Sequence, residues 1–233
     1  IGDVKSTGVL ISYLKDNNNT IRNAAIEALI DIGPVASANI LKELNEAKEE
    51  KTKDALVKVL GDIGDELSAA TIIDMVIKEK ASIKATIASS LGKIKCKDAV
   101  GPLIEVIKDK TGGRQVVENS ISALGEIGDR RAVEPLLDIM HEGQYLMGKV
   151  KNITAQALGK IGDERAVTTL VENIQDKGCA MSCIEALGFM ACPESAEALY
   201  LIMVGEIDCP VDTRIAAVKA LEGIGGEEIQ AIL

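Results

Sequence analysis

The apolar and polar positions of this chain recur with a period of about 31 residues. Between Val150 and Leu158, apolar residues lie at positions 150, 153, 157 and 158, which is the spacing of one face of an α-helix. A second apolar segment of helical character follows each such face after a short polar turn, as at Ala132–Met140. The pattern therefore predicts a repeating pair of amphipathic helices.

A short phrase marks the end of the first helix in each pair. The sequence Ala-Leu-Gly-x-Ile-Gly-Asp occurs at 123–129 and 157–163, with a close variant at 60–65. A helix pair of this length cannot bury its own apolar face, so the pairs must stack on one another. The sequence predicts one all-α domain over residues 1–233, built from about seven stacked helical hairpins. Seven leucines, 29 to 34 residues apart, mark the hairpins: Leu29, Leu60, Leu91, Leu124, Leu158, Leu187 and Leu221.

The residues after this phrase predict where one helix ends and the next begins. The glycine that follows the isoleucine tolerates the left-handed conformation found at helix C-termini. Asp65, Asp129 and Asp163 come next and are predicted N-caps, because a short carboxylate accepts hydrogen bonds from free backbone N–H groups. Pro102 and Pro135 follow, and proline is tolerated only in the first turn of a helix. The second helix is therefore predicted to begin a few residues after the aspartate.

Composition narrows the classes of function. The chain has one Phe, three Tyr and no Trp, so its core must consist of Ala, Leu, Ile and Val. A net charge of −10 disfavours nucleic acid, which is bound through many cations. No apolar run approaches the roughly 20 residues of a membrane-spanning helix. The five cysteines are an odd number and no signal peptide is recognised, which predicts reduced thiols and a cytoplasmic location.

Two groups of residues suggest metal chemistry, and both are better explained as structural. Cys179, Cys183, Cys192 and Cys209 lie in the sixth repeat, and four thiolates suffice for zinc or an iron–sulfur cluster. Their spacing lacks a Cys-x-x-Cys pair, and positions 179 and 183 align with core positions of other repeats. A structural role is therefore favoured, with a metal site as the alternative. His141 is the single histidine, too few for a multi-histidine centre. We predict no catalytic residue, metal or cofactor.

Residues 128–136 and 162–167 resemble the HEAT-like repeats first described in phycobilisome lyases. The family pattern reads Val-Arg-x-x-Ala-Ala-x-Ala-Leu-Gly-x-Ile-Gly-Asp-x-Arg-Ala-Val-x-Pro-Leu, and related segments extend along essentially the whole chain. The resemblance implies a right-handed α-α superhelix, the HEAT-like α-solenoid. In this family the arginine of Val-Arg joins a ladder between repeats. Here five of the seven equivalent positions are cationic, whereas Val117 and Ala180 interrupt the ladder; the cations are Arg22, Lys53, Lys84, Lys151 and Arg214.

The resemblance also implies that the first helix of each pair faces a concave groove. Polar residues on this face vary from repeat to repeat while the core positions do not, as expected for a surface that recognises a partner. A purely solvated face would give the same pattern. The predicted partner-binding residues are Asn23, Glu27, Asp54, Lys58, Thr86, Ser89, Glu118, Ser122, Asn152, Gln156, Glu185 and Lys219.

The function predicted from these observations is a protein-interaction scaffold or adaptor that binds another protein or a peptide on its concave face. The alternative implied by the resemblance is a catalytic or non-catalytic subunit of a phycobilin lyase-like enzyme. A nucleic-acid reader is disfavoured by the acidic charge. Residues 1–3 read as the end of a motif and residues 227–233 as the start of a helix. We therefore expect a fragment of a longer array, with uncapped ends that allow end-to-end self-association.

Overall fold

The computed structural model describes residues 4–109, 112–141 and 148–224. Over these ranges the chain contains fourteen α-helices and no strand, so the all-α prediction is confirmed. The predicted features at residues 1–3 and 227–233 lie outside the described residues. The helices are α1 (Val4–Tyr13), α2 (Asn19–Ile32), α3 (Ser37–Glu46), α4 (Glu50–Ile63), α5 (Ala69–Lys78), α6 (Ala81–Ile94), α7 (Val100–Asp109), α8 (Arg114–Ile127), α9 (Val133–His141), α10 (Gly148–Ile161), α11 (Val167–Glu172), α12 (Ala180–Met190), α13 (Pro193–Val204) and α14 (Val211–Ile224).

The helices alternate between two kinds. Even-numbered helices carry the marker leucines and are called A helices, and odd-numbered helices are called B helices. The chain divides into two compact units, Ile1–Ala123 and Leu124–Leu233, with the boundary inside α8. Each unit is therefore described by itself. The expectation of a single domain within a longer array stays a prediction.

The marker leucines form the centre of the core in both units. Six of the seven are fully buried and Leu221 is 6% exposed. Around them the buried residues are mainly alanine, valine, leucine and isoleucine. The one phenylalanine, Phe189, is instead 75% exposed. The predicted aliphatic core is confirmed over the described residues, and the aromatic side chain lies outside it.

The A helices end as predicted. Gly64, Gly128 and Gly162 follow the last helical residue with φ of 73°, 71° and 68°, the left-handed region that favours glycine. Lys95 and Ala191 occupy the same place in the third and sixth repeats with φ of 57° and 47°. Two helices therefore use the left-handed stop without the residue best suited to it.

The aspartates cap the next segment, which is a single turn of 3₁₀-helix. Each aspartate side chain accepts a hydrogen bond from the backbone N–H of the residue two positions later. The distances are 3.0, 2.9 and 3.2 Å for Asp65, Asp129 and Asp163. The α-helix begins four residues after each aspartate. Pro102 and Pro135 are each the third residue of their helix, where the missing N–H is tolerated. The predicted delay between cap and helix is confirmed.

Neighbouring A helices approach each other at the first glycine of the motif. A Cβ added to this glycine would stand 2.5 to 2.8 Å from the nearest atom of the next A helix, closer than carbon atoms pack. The sequence pattern alone does not indicate a role for this glycine. It is the residue that sets the spacing between repeats. The pairs are Gly61 with Ser90, Gly92 with Ala123, Gly125 with Ala157, and Gly159 with Ala186.

One stretch of the described residues, Asn19–Glu46, is long and apolar enough to span a membrane by length and composition alone. Buried helices of globular proteins pass the same test. The stretch is interrupted by a 3₁₀ turn at Gly33–Ala36, which contains Pro34 and separates α2 from α3.

Candidate partner-binding surface

The predicted partner-binding residues fall into three groups by exposure. Glu118 differs from the rest, because its side chain is 3% exposed and pairs with Arg114 at 2.6 Å one helical turn earlier. The expectation that Glu118 is a surface residue is therefore wrong. Asp54, Thr86, Ser89 and Asn152 are half-buried. The exposed members are Asn23, Glu27, Lys58, Ser122, Gln156, Glu185 and Lys219.

In the first unit, several polar side chains of the A helices are used within the fold. Thr86 Oγ1 donates to Asp54 Oδ1 at 2.5 Å, which joins α6 to α4. Asn119 Nδ2 donates to the carbonyl of Ala85 at 2.8 Å, which joins α8 to α6. Asp54 and Thr86 were both predicted to contact a partner, and here they hold neighbouring repeats together.

A second polar row follows the first glycine of the motif by one residue. Lys93 pairs with Asp62 in the first unit, and Lys160 pairs with Glu126 in the second. Each pair joins neighbouring A helices. Phe189 occupies this row in the sixth repeat, where its ring is 75% exposed. An apolar ring thus stands where other repeats place a paired charge.

Phe189 borders an open groove of about 510 Å³ between α12 and α14, both in the second unit. An added Cβ on Gly188 would stand 3.1 Å from Cβ of Ala220, compared with 2.5 to 2.8 Å at the four other glycines. Gly188 is also half-buried, whereas those four glycines are buried. α12 and α14 are therefore slightly further apart at this point. The groove is lined by Met181, Ile184, Glu185, Gly188, Phe189, Ala216, Lys219, Ala220 and Gly223.

The groove combines predicted and unpredicted residues. Glu185 and Lys219 belong to the predicted set and occupy equivalent positions in successive repeats. Met181 was missed because it is apolar, although it occupies the position of Asn23 and Asn152 in other repeats, and it is 48% exposed. The sequence signal was an apolar residue at a position that is polar elsewhere on the same face.

Two of the cationic positions, Lys151 and Arg214, bind groups at the ends of B helices. Lys151 Nζ donates to Asn173 Oδ1 at 3.0 Å and to Asp176 Oδ2 at 3.1 Å, just beyond the end of α11. The guanidinium of Arg214 donates to the carbonyl of Met203 at 3.1 and 3.3 Å, in the last turn of α13. Both cations thus lie at the C-terminal ends of B helices, where the helix dipole favours positive charge.

The arginine that follows the capping aspartate joins two neighbouring repeats of the second unit. Arg165 forms a bidentate pair with Asp163, at 2.9 Å for each bond. Its guanidinium also donates to Glu134 Oε1 at 2.9 Å and to the carbonyl of Arg130 at 3.2 Å. These hydrogen bonds from Arg165 hold the pKa of Asp163 below its usual range. The guanidinium links the turns that precede α9 and α11.

The four cysteines of the sixth repeat do not assemble into one site. Cys179 is the N-cap of α12 and Cys183 lies one turn later, both buried, and the hydrogen bond between them, with burial, raises the pKa of Cys183. Cys192 is the N-cap of α13 and Cys209 lies in the segment between α13 and α14, and both are half-buried. Within residues 4–109, 112–141 and 148–224, no group of three or more His, Cys, Asp or Glu side chains is placed to hold a metal ion. The four-thiolate alternative therefore lacks support, and His141 is exposed.

Comparisons with solved structures support the fold. The complex of CpcE and CpcF of phycocyanin lyase from Nostoc sp. PCC7120 is 19% identical and superposes with a TM-score of 0.57, over 97% of this chain and 91% of that one. Human deoxyhypusine hydroxylase in complex with glycerol is 17% identical with a TM-score of 0.41, over 95% and 96% of the two chains. An engineered protein is 17% identical with a TM-score of 0.46, over 94% and 96%. The last two similarities are too low to support an argument.

Family models identify the repeats. Residues 70–147 match the family model described as HEAT repeats, and residues 151–176 match the one described as PBS lyase HEAT-like repeat. No curated protein matches the chain. At 19% identity, the likeness to the phycocyanin lyase complex shows the fold alone. Residues 70–147 are thus similar to HEAT repeats and residues 151–176 to a PBS lyase HEAT-like repeat, in agreement with the paired helices and helix ends described above.

Proposed function

We propose that this chain is a protein-interaction module whose partner, another protein or a peptide, binds the face formed by the A helices. The observation that carries the proposal is the groove between α12 and α14, with the exposed ring of Phe189 at its edge. Aromatic side chains that protrude beside a pocket are frequent anchors of protein interfaces. The core is aliphatic, so the fold does not need an aromatic ring at this position.

The net charge and the cysteines bear on the class of partner and on the compartment in which it is met. A net charge of −10 gives nucleic acid no electrostatic attraction. All five cysteines are free thiols, which supports a reducing compartment such as the cytoplasm. The structural relative from Nostoc is itself a complex of two proteins, and this supports a protein partner for a chain of the same fold.

The test is affinity capture from the source cells with three forms of the chain. Phe189→Glu places a charge at the edge of the groove. Leu67→Glu is the matched control, because Leu67 is an apolar residue that is 82% exposed and does not line the groove. We expect specific proteins captured by the wild-type chain to be lost with Phe189→Glu and kept with Leu67→Glu. Equal capture by all three forms would contradict the proposal.

A phycobilin lyase-like role is the second candidate, supported by the match of residues 151–176 to the PBS lyase HEAT-like repeat. Incubation of the chain with a bilin and an apo-phycobiliprotein separates the two functions. Covalent transfer of the bilin would establish the lyase role. Binding of the apo-protein without transfer supports the interaction module.

A further inference from the structure

The exposed stripe of α12 has a regular spacing. Met181, Glu185 and Phe189 lie one turn apart on the same face of the helix. The two apolar residues are 48% and 75% exposed, and the carboxylate stands between them. Eight residues of helix separate the outer two by about 12 Å. α12 therefore presents two apolar side chains, which we call the two ridges of the groove, with the carboxylate of Glu185 between them.

The opposite side of the groove is shallow and carries the opposite charge. α14 contributes Ala216, Ala220 and Gly223, whose small side chains leave room for the side chains of another molecule. Lys219, exposed on the same helix, supplies a cation. The groove thus has an apolar floor, with a carboxylate on one wall and an ammonium group on the other.

The backbone of α12 and α14 restricts the kind of partner. Their N–H and C=O groups are used within the helices, so no strand edge is available for an extended peptide to pair with. Apolar side chains seven residues apart on a partner helix are separated by about 10.5 Å, close to the spacing of the two ridges. A helix laid in the groove can therefore pack one apolar residue beside each ridge.

We infer that the groove between α12 and α14 binds an amphipathic helix of a partner protein. The inferred helix has apolar residues seven positions apart and, between them, a lysine or arginine that meets Glu185 and an acidic residue that meets Lys219. Charges of opposite sign on the two walls fix the direction of the bound helix, because only one direction pairs both charges correctly. This inference rests on the proposed function and adds the chemistry of the partner.

The experiment selects helices by their affinity for the full chain. A displayed library of 14-residue peptides with a helix-forming background and random positions on one face is enriched on the wild-type chain. We expect the enriched peptides to have apolar residues seven positions apart and a basic residue between them. Phe189→Ala should weaken their binding at least tenfold. With Glu185→Lys as bait, a second selection should replace the basic residue by an acidic one.

Gln156→Lys is the matched control, because Gln156 is exposed at the equivalent position of the fifth repeat, outside the groove. Selection on this bait should return the same basic residue as the wild type. Circular dichroism of every bait confirms that it is folded, as expected for substitutions of exposed side chains.

Several results would overturn the inference. The inference is wrong if the wild-type chain enriches no peptide more strongly than the Phe189→Ala bait does. It is also wrong if the selected peptides contain helix-breaking prolines, or if selection on Glu185→Lys returns the same charge preference as the wild type. A wild-type dimer in sedimentation that Phe189→Ala dissociates would identify a second copy of this chain as the occupant. If the selection fails while Phe189→Glu still abolishes capture from cells, the partner is not a helix and the interaction function stands.

Discussion

The spacing between repeats can be tested at Gly159, where α10 packs directly against Ala186 of α12. A Cβ added at Gly159 would stand 2.7 Å from Cα and 2.9 Å from Cβ of Ala186. Carbon atoms pack at about 3.5–4 Å, so the two helices must separate by roughly 1 Å. Overpacking of this kind costs about 1–3 kcal/mol. Replacing glycine inside a helix returns up to about 1 kcal/mol.

We expect Gly159→Ala to lower the free energy of unfolding by about 1–2 kcal/mol, because the obstructing atoms belong to a helix backbone that cannot rotate away. Urea titrations followed by circular dichroism measure the change. Gly223→Ala is the control within the same unit, since no atom of residues 4–109, 112–141 and 148–224 lies within 4 Å of its added Cβ. That substitution should leave stability unchanged or raise it by up to about 1 kcal/mol. A Gly159→Ala chain as stable as the wild type would refute the reasoning.

Two further predictions concern helix ends. Asp163→Ala removes an N-cap and the bidentate partner of Arg165, so we expect a loss of about 1–2 kcal/mol at neutral pH. Arg165 depresses the pKa of Asp163 in the folded chain. The stabilisation is therefore complete above the pKa of this carboxyl in the unfolded chain, about 3.9, and is lost as the pH falls further. Urea titrations should show a smaller loss of stability in Asp163→Ala near pH ~3, and a loss that does not change with pH would contradict the assignment. The backbone of Ala191 and Lys95 is left-handed, with φ of 47° and 57°. Ala191→Gly and Lys95→Gly relieve this strain and should each raise the free energy of unfolding by about 1 kcal/mol, seen as a higher midpoint in urea titrations. A lower midpoint would argue against strain at these positions.

The fold could be predicted in detail because its determinants are local and repeated. The buried leucines, the glycine stops and the aspartate caps each depend on a few neighbouring residues, and every repeat offers another copy of the same signal. Even the delay between Asp163 and α11 followed from the position of proline in related repeats. Errors in one repeat are corrected by the others.

The partner-binding surface could be predicted only in part, because exposure depends on side chains that reach across repeats. Glu118 is covered by Arg114 of its own helix, which the equivalent positions of other repeats gave no reason to expect. Asp54 and Thr86 bind each other through a contact 32 residues apart in sequence. The predicted set also contained only polar residues, so it did not include Phe189.

The row that contains Phe189 separates what the fold needs from what a partner would use. Lys160 in this row pairs with Glu126, but such an exposed pair contributes at most about 1 kcal/mol. Phe189 forgoes that pairing and keeps most of its ring in water. Burial of a phenylalanine side chain is worth about 1.5–3 kcal/mol, which the free chain does not gain at this position. In the complex proposed above, an apolar surface of the partner covers the ring and the chain gains that free energy. A substitution at Phe189 should therefore cost the fold little and the complex much.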